Sequence, residues 1–284
     1  MKQSNISSTR YVGDLMNNVL VINNLNFKYD DKVIFSNFDL EIKKATFTTI
    51  LGPNGSGKST LIKIILGLFR VNSYINISGM ILNNDNLKKI REKIGVVFEN
   101  PDNQFVAETV MDDIAFSLEN MNYDKKEIKK RIKEVSELLG ITKILEEEPH
   151  NLSGGEKQLV ALASALVIKP EILILDEALS MIDPETRTKI LSILVKLNKE
   201  NNLTIISITH DSEEALYGSD VILLDTGKII LNGKKELVFK EEEIFKKTRI
   251  CLPFMADLSI KLKYYNLLDK MIFDMDEMVD VLWK

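Results

Sequence analysis

Hydrophobic positions along the chain follow two rhythms. VLVINNLNFKY (19–29) and ATFTTILG (45–52) are rich in β-branched and aromatic residues and read as strands, whereas KSTLIKIILGLF (58–69) repeats its apolar residues at helical spacing. IGVVFE (94–99), ILILD (172–176) and LTIISITH (203–210) are short, nearly unbroken apolar runs, the pattern of strands buried on both faces. Their alternation with helical segments predicts an α/β domain with a largely parallel sheet. DKKEIKKRIKEVSELLG (124–140) predicts an amphipathic helix closed by Gly140, its lysines forming a solvated face. VILLDTGKIILNG (221–233) predicts a hairpin turning at Thr226 and Gly227. Beyond it the composition shifts. KEEEIFKK, Pro253 and two amphipathic stretches ending at Trp283 predict a small helical appendage over 239–284, after a main domain over 19–238. The polar residues 1–18 lack an apolar core and predict a flexible extension rather than a signal peptide or anchor.

Composition removes several classes of function. The 284 residues, 45% hydrophobic, suffice for one substantial core. The apolar stretch from Leu61 to Phe69 is broken by Lys63 and ended by Arg70, far short of the roughly 18 to 20 residues that a membrane span needs. The chain is therefore expected in the cytoplasm. A net charge of -5 argues against nucleic acid as a partner, which usually meets a basic face. Cys251, the single cysteine, leaves no internal disulfide or cysteine-based zinc site and is expected as a small buried or half-buried apolar residue.

Two loops carry the chemistry. GPNGSGKST matches G-x-x-x-x-G-K-[ST] between a strand and a helix, so Gly52, Pro53, Asn54, Gly55, Ser56, Gly57, Lys58, Ser59 and Thr60 are expected to bind a nucleotide. The glycines let backbone N–H groups face the phosphates, Lys58 reaches the outer ones, and Ser59 offers its hydroxyl to Mg²⁺. Asp176 ends an apolar strand, where a carboxylate can hold Mg²⁺. Glu177 follows, and alternation is expected to send it to another side, where it polarises the attacking water. His210 ends a further strand and can offer an N–H to the terminal phosphate, whereas His150 reads as a loop residue. HNLSGGEKQLVALASAL (150–166) then presents a second anion-binding helix start, although one nucleotide needs only one.

GPNGSGKST, LSGGE, ILILDE, SMIDP and a final Thr-His, in this order, resemble the nucleotide-binding domain of ABC (ATP-binding cassette) proteins over residues 19–235. The resemblance implies an ABC-type P-loop NTPase fold whose helical signature subdomain spans about residues 100–165. It also implies composite sites in a head-to-tail pair of chains, which explains the second loop. Ser153, Gly154 and Gly155 would contact the γ-phosphate of ATP held by the partner, Tyr29 would stack on adenine, and Asp183 would couple the two sites.

VVFENPDNQFVAETVMDDIAFSLEN (96–120) looks like the matching region of the ATPase subunits of energy-coupling-factor (ECF) transporters. That implies a second ABC ATPase as hetero- or homodimer partner, a transmembrane scaffold and a membrane protein that captures a vitamin or transition-metal ion. The chain would sit peripherally on the cytoplasmic face of the cell membrane, with Gln104, Asp112, Asp113 and Glu119 near the scaffold. Three positions depart from the family pattern. Glu99 replaces the usual glutamine beside Mg²⁺, where it would serve catalysis and the metal in this chain's own site. Glu156 and Leu159 replace a glutamine and an arginine and act on the partner's site, so substitutions at Glu99 and Glu156 are expected to combine independently. A soluble ABC ATPase in DNA repair or on ribosomes, or a nucleotide-dependent scaffold with weak turnover, are the alternatives. The first would need a coiled-coil insertion or a tandem cassette, neither visible here.

Overall fold

The short apolar runs pair side by side as parallel strands, in a computed structural model that describes residues 17–283. An antiparallel sheet comes first, built from β1 (Asn18–Tyr29), β2 (Lys32–Lys43), β4 (Tyr74–Ile77) and β5 (Met80–Ile81) in the order β2-β1-β4-β5. A six-stranded sheet follows, ordered β10-β9-β3-β8-β7-β6. In it β3 (Phe47–Leu51), β6 (Ile94–Val97), β7 (Ile172–Asp176), β8 (Thr204–Thr209) and β9 (Asp220–Asp225) are parallel. Only β10 (Lys228–Lys234) runs antiparallel, against β9. The expected 1–18 extension falls almost wholly outside the described residues, and Asn18 already opens β1.

Helices cover both faces: α1 (Lys58–Ile65), α2 (Leu87–Arg91), α3 (Val110–Asn120), α4 (Lys125–Leu139), α5 (Gly154–Leu166), α6 (Pro184–Asn201), α7 (Lys235–Val238), α8 (Glu242–Thr248), α9 (Phe254–Tyr264) and α10 (Met275–Leu282). Period-two alternation in β7 divides the core. Ile172 and Ile174 pack with α1 and the antiparallel sheet, among them Leu20, Ile22 and Ile62. Leu173 and Leu175 face Ile114, Leu118, Ile132 and Leu162 of the helices α3, α4 and α5. Helix α4 begins because Asp124 accepts from the amides of Lys126 and Glu127 at 2.9 and 3.0 Å, and it ends at Gly140 with φ of 72°.

The C-terminal segment 239–284 is helical, but its first part is continuous with the main core. Phe239 and Phe245 pack on Leu51, Val221 and Leu223 of β3 and β9, and only Met255, Leu268, Ile272 and Met278 form a small cluster of their own. Cys251 corrects the sequence reading. It is exposed, because in the bend between α8 and α9 its neighbour Ile250 takes the inward place.

The hairpin between β9 and β10 turns at Thr226 and Gly227, both left-handed with φ of 44° and 71°, as a tight hairpin turn requires. Gly227 also donates its N–H to the carbonyl of Ser56 at 2.9 Å, so the turn braces the glycine-rich loop from below. A Cβ at Gly227 would meet the carbonyl oxygen of Ile34 at 1.7 Å. Gly227→Ala is thus expected to lower stability by at least about 2 kcal/mol and to weaken nucleotide binding, as urea denaturation and calorimetry would measure.

Candidate functional site

Parallel pairing is what assembles the site. β3, β6, β7 and β8 end at the same edge of the sheet, so the Gly52–Ser59 loop, Glu99, Asp176 and His210 emerge there together, the usual crevice of an open parallel sheet. Gly52 is pinned in the loop, since a Cβ there would meet the Leu224 carbonyl at 2.3 Å. Gly57 caps α1 with φ of 109° and turns the first amides of the helix into the loop. Asn54, Gly55 and Ser59 are exposed, Pro53 and Thr60 half-buried, and the Ser56 hydroxyl is buried with no hydrogen-bond partner among the described residues. Lys58 is buried. Its Nζ donates to the carbonyls of Gly52 at 2.7 Å and Pro53 at 3.1 Å, and lies 3.9 Å from a Glu177 carboxylate oxygen. Burial lowers its pKa, while the charges of Glu177 and Asp176 oppose that shift.

Asp176 is a buried carboxylate. It is 8% exposed, and its Oδ1 has no hydrogen-bond partner among the described residues. Burial, reinforced by the charges of Glu177 and Glu99 and opposed by Lys58 and Ser59, pushes its carboxyl up to about 6. A dication would relieve that carboxylate. Ser59 sits beside it, so the residues present fit a Mg²⁺ ion shared with a nucleotide's phosphates.

Glu177 does not continue the strand's alternation, which corrects the reason given for its position. Its φ is 51°, a left-handed turn that is strained for a residue with a side chain, and its N–H donates to the Ile208 carbonyl at 2.8 Å. The turn aims the carboxylate at two neighbours, Lys58 and His210, whose Nδ1 lies 2.8 Å from Glu177 Oε2. Sequence placed both residues near the site without foreseeing that they pair.

The other predicted residues occupy their own places. The Tyr29 ring meets Phe27 and Phe69 edge-on, at centroid distances of 5.0 and 5.5 Å, and is 39% exposed. Asp183 caps α6 by accepting from the Thr186 amide at 3.0 Å, which holds its carboxyl below the usual range. Ser153 caps α5, and the Glu156 carboxylate accepts from both its amide and its hydroxyl, at 2.9 and 2.7 Å. Among the described residues no hydrogen bond joins the Ser153–Gly155 turn to the Gly52–Ser59 loop. His150 is exposed beside Glu148, and Leu159 packs against the helical core.

Two of the four residues expected at the scaffold surface turn inward. Asp113 is buried and accepts from the Val106 amide at 2.9 Å, and the Gln104 amide is consumed by the backbone of Phe98 and Val96. Asp112 and Glu119 stay exposed.

Sequence reasoning missed several supports, including the Arg187–Asp211 ion pair at 2.9 Å, which ties α6 to the segment after His210. It also missed Glu214, buried against the Ser207 hydroxyl and pushed up to about 7 by burial. A polar residue in an apolar run, such as Gln158 in GGEKQLVALASAL, is a sequence signal by which a support of this kind can be found.

Comparison with known proteins shows the family and the fold. The family model described as ABC transporter matches residues 35–180. The energy-coupling factor transporter ATP-binding protein EcfA of Pediococcus pentosaceus is 45% identical over 247 residues, 86% of this chain and 88% of that protein. EcfA1 of Mesomycoplasma hyopneumoniae is 42% identical over 255 residues, 89% of this chain and 92% of that protein. Among solved structures, cbiO1 of Clostridium perfringens, part of the ABC transporter complex cbiONQ, superposes with a TM-score of 0.74 at 35% identity, covering 85% and 98% of the two chains. The cassette MJ0796, in a dimeric post-hydrolysis state with ADP and Pi, reaches 0.69 at 32% identity, covering 76% and 98%.

The raised pKa of Asp176 has a thermodynamic consequence. A group whose folded pKa exceeds its unfolded one weakens the fold as pH rises, and the cost is complete above about 6. Asp176→Asn should therefore stabilise the nucleotide-free chain at neutral pH by about 1 to 3 kcal/mol, the gain vanishing below about pH 4. Urea denaturation across pH checks this, and equal or lower stability of the variant at neutral pH would refute it.

Proposed function

Because the chain belongs to the ABC transporter family of ATP-binding subunits, we propose that it hydrolyses ATP to power an ECF-type importer from the cytoplasmic face of the membrane. It would act as one of two cassettes, with a second ABC ATPase closing composite sites. The observation that carries the ATPase reading is the buried Asp176 carboxylate, whose Oδ1 has no hydrogen-bond partner among the described residues, set near Lys58 and Glu177 below the glycine-rich loop. In this reading the loop amides and Lys58 bind the outer phosphates, and Ser59, Asp176 and Glu99 hold Mg²⁺, which neutralises phosphate charge when bound. Glu177 orients and polarises the attacking water, and His210, paired with Glu177, meets the terminal phosphate. Tyr29 packs against adenine. Intact Lys58, Asp176 and Glu177 favour turnover over a nucleotide-dependent scaffold.

Support for the composite sites comes from Gly154 and Gly155. Glycine is a poorer helix former than alanine, yet among the described residues a Cβ at either position would meet nothing nearer than 3.9 Å. Close approach by something outside the chain accounts for them, and a partner's nucleotide is such a neighbour. Asp183, at the start of α6, would then couple the two sites.

The transporter reading rests on identity to EcfA proteins over most of the chain. Among the described residues no helix is long and apolar enough to cross a membrane, so membrane attachment would depend on protein partners. A groove of about 260 Å³ between β6, α3 and α5 suits the scaffold, with Val106 and Phe116 exposed at 64% and 46%. The cargo, a vitamin or transition-metal ion, would be chosen by the capture protein.

Lys58→Ala is expected to abolish nucleotide binding, and Glu177→Gln to keep it while trapping an ATP-closed dimer, since only the water-polarising carboxylate is lost. Full turnover by a Glu177→Gln complex would remove Glu177 from its role. Phe116→Asp should release the chain from native membranes with ATP binding intact, as fractionation would measure; firm binding of the chain alone to protein-free vesicles would count against the transporter reading.

A further inference from the structure

Phe98, the residue before Glu99, is held by glutamine side chains at both its N–H and its carbonyl. Gln104 Oε1 accepts from the Phe98 N–H at 2.9 Å, while its own Nε2 donates to the Val96 carbonyl at 3.1 Å. From the other side Gln158 Nε2 donates to the Phe98 carbonyl at 2.9 Å. Lys157 adds an ion pair to Asp102 at 2.7 Å. Gln104 belongs to the same loop as Glu99, but Gln158 and Lys157 stand on α5, within two turns of Ser153. Gln158 is 1% exposed, and its Oε1 has no partner among the described residues. Keeping an amide there is unfavourable for stability alone, because a buried unpaired carbonyl carries a desolvation cost. Among the described residues, its one side-chain hydrogen bond is the link to Phe98.

We propose that Gln158 is a positioning residue that joins the Ser153–Gly155 turn and the Phe98–Glu99 peptide into one moving body. Resting on the composite-site reading above, it links the two ATP sites within one chain. When the turn closes on the partner's nucleotide, α5 carries Phe98 with it and resets Glu99 beside this chain's own nucleotide. Glu99 and Glu156 then influence each other, contrary to the independence that their assignment to different sites suggests.

The test uses the assembled complex carrying Glu177→Gln, so that ATP persists. Hydrogen exchange is followed across residues 98–103 and 153–158 with and without MgATP. We expect MgATP to slow exchange in both segments. Gln158→Leu, which removes the donor and the unpaired carbonyl at similar volume, should keep the slowing at 153–158 and reduce that at 98–103 at least about fivefold. Gln158→Met keeps the length but not the donor and should behave alike, which guards against misfolding of the leucine variant. In complexes with Glu177 intact, the effects of Glu99→Gln and Glu156→Gln on kcat should depart from multiplicative by about fivefold, and become multiplicative once Gln158→Leu is added. Unchanged slowing at 98–103 in both Gln158 variants, or multiplicative effects with Gln158 present, overturns the proposal. Absence of slowing at 153–158 with Gln158 present would instead sink the composite-site reading, and this inference with it.

Discussion

The carboxyl edge of the parallel sheet concentrates charge where burial makes charge costly. Asp176 ends β7 with one oxygen unpaired, Lys58 folds its ammonium back onto the carbonyls of Gly52 and Pro53, and Glu177 is turned into a left-handed conformation to face Lys58 and His210. Such a cluster persists only because the surrounding structure holds it, and strain of this kind marks sites that await a ligand. The fully buried strands β3, β8 and β7, side by side in the sheet, supply that rigidity. Nucleotide phosphates and a dication would satisfy the ammonium and the carboxylate together.

Every support of this edge reaches it from a different part of the chain. The turn at Gly227 holds the carbonyl of Ser56, Arg187 on α6 holds the segment after His210 through Asp211, and α5 holds the loop before Glu99. Glu213, in that same segment after His210, accepts from the Phe254 amide at the start of α9. The C-terminal helices are thereby connected to the carboxyl edge of the sheet as well as packed on β9. A change at one element has several routes by which to shift the Glu177–His210 pair.

What the sequence by itself determined was set by local rules. The glycine-rich loop, the apolar strands, the amphipathic α4 with its Asp124 and Gly140 ends, and the Thr226–Gly227 turn each follow from residues adjacent in the chain, where periodicity and backbone preference act directly. The family followed from the order of such motifs. Tertiary structure alone decided the rest. Glu177 pairs with His210 across 33 residues, Gln158 reaches Phe98 across 60, and Asp113 turns inward to the Val106 amide although its neighbour Asp112 faces water. Cys251 points outward because Ile250 competes for the same inward place. These outcomes depend on which strand lies beside which and on which of two adjacent side chains the core accepts, and no single segment encodes either, because both are settled by packing between segments distant in the chain.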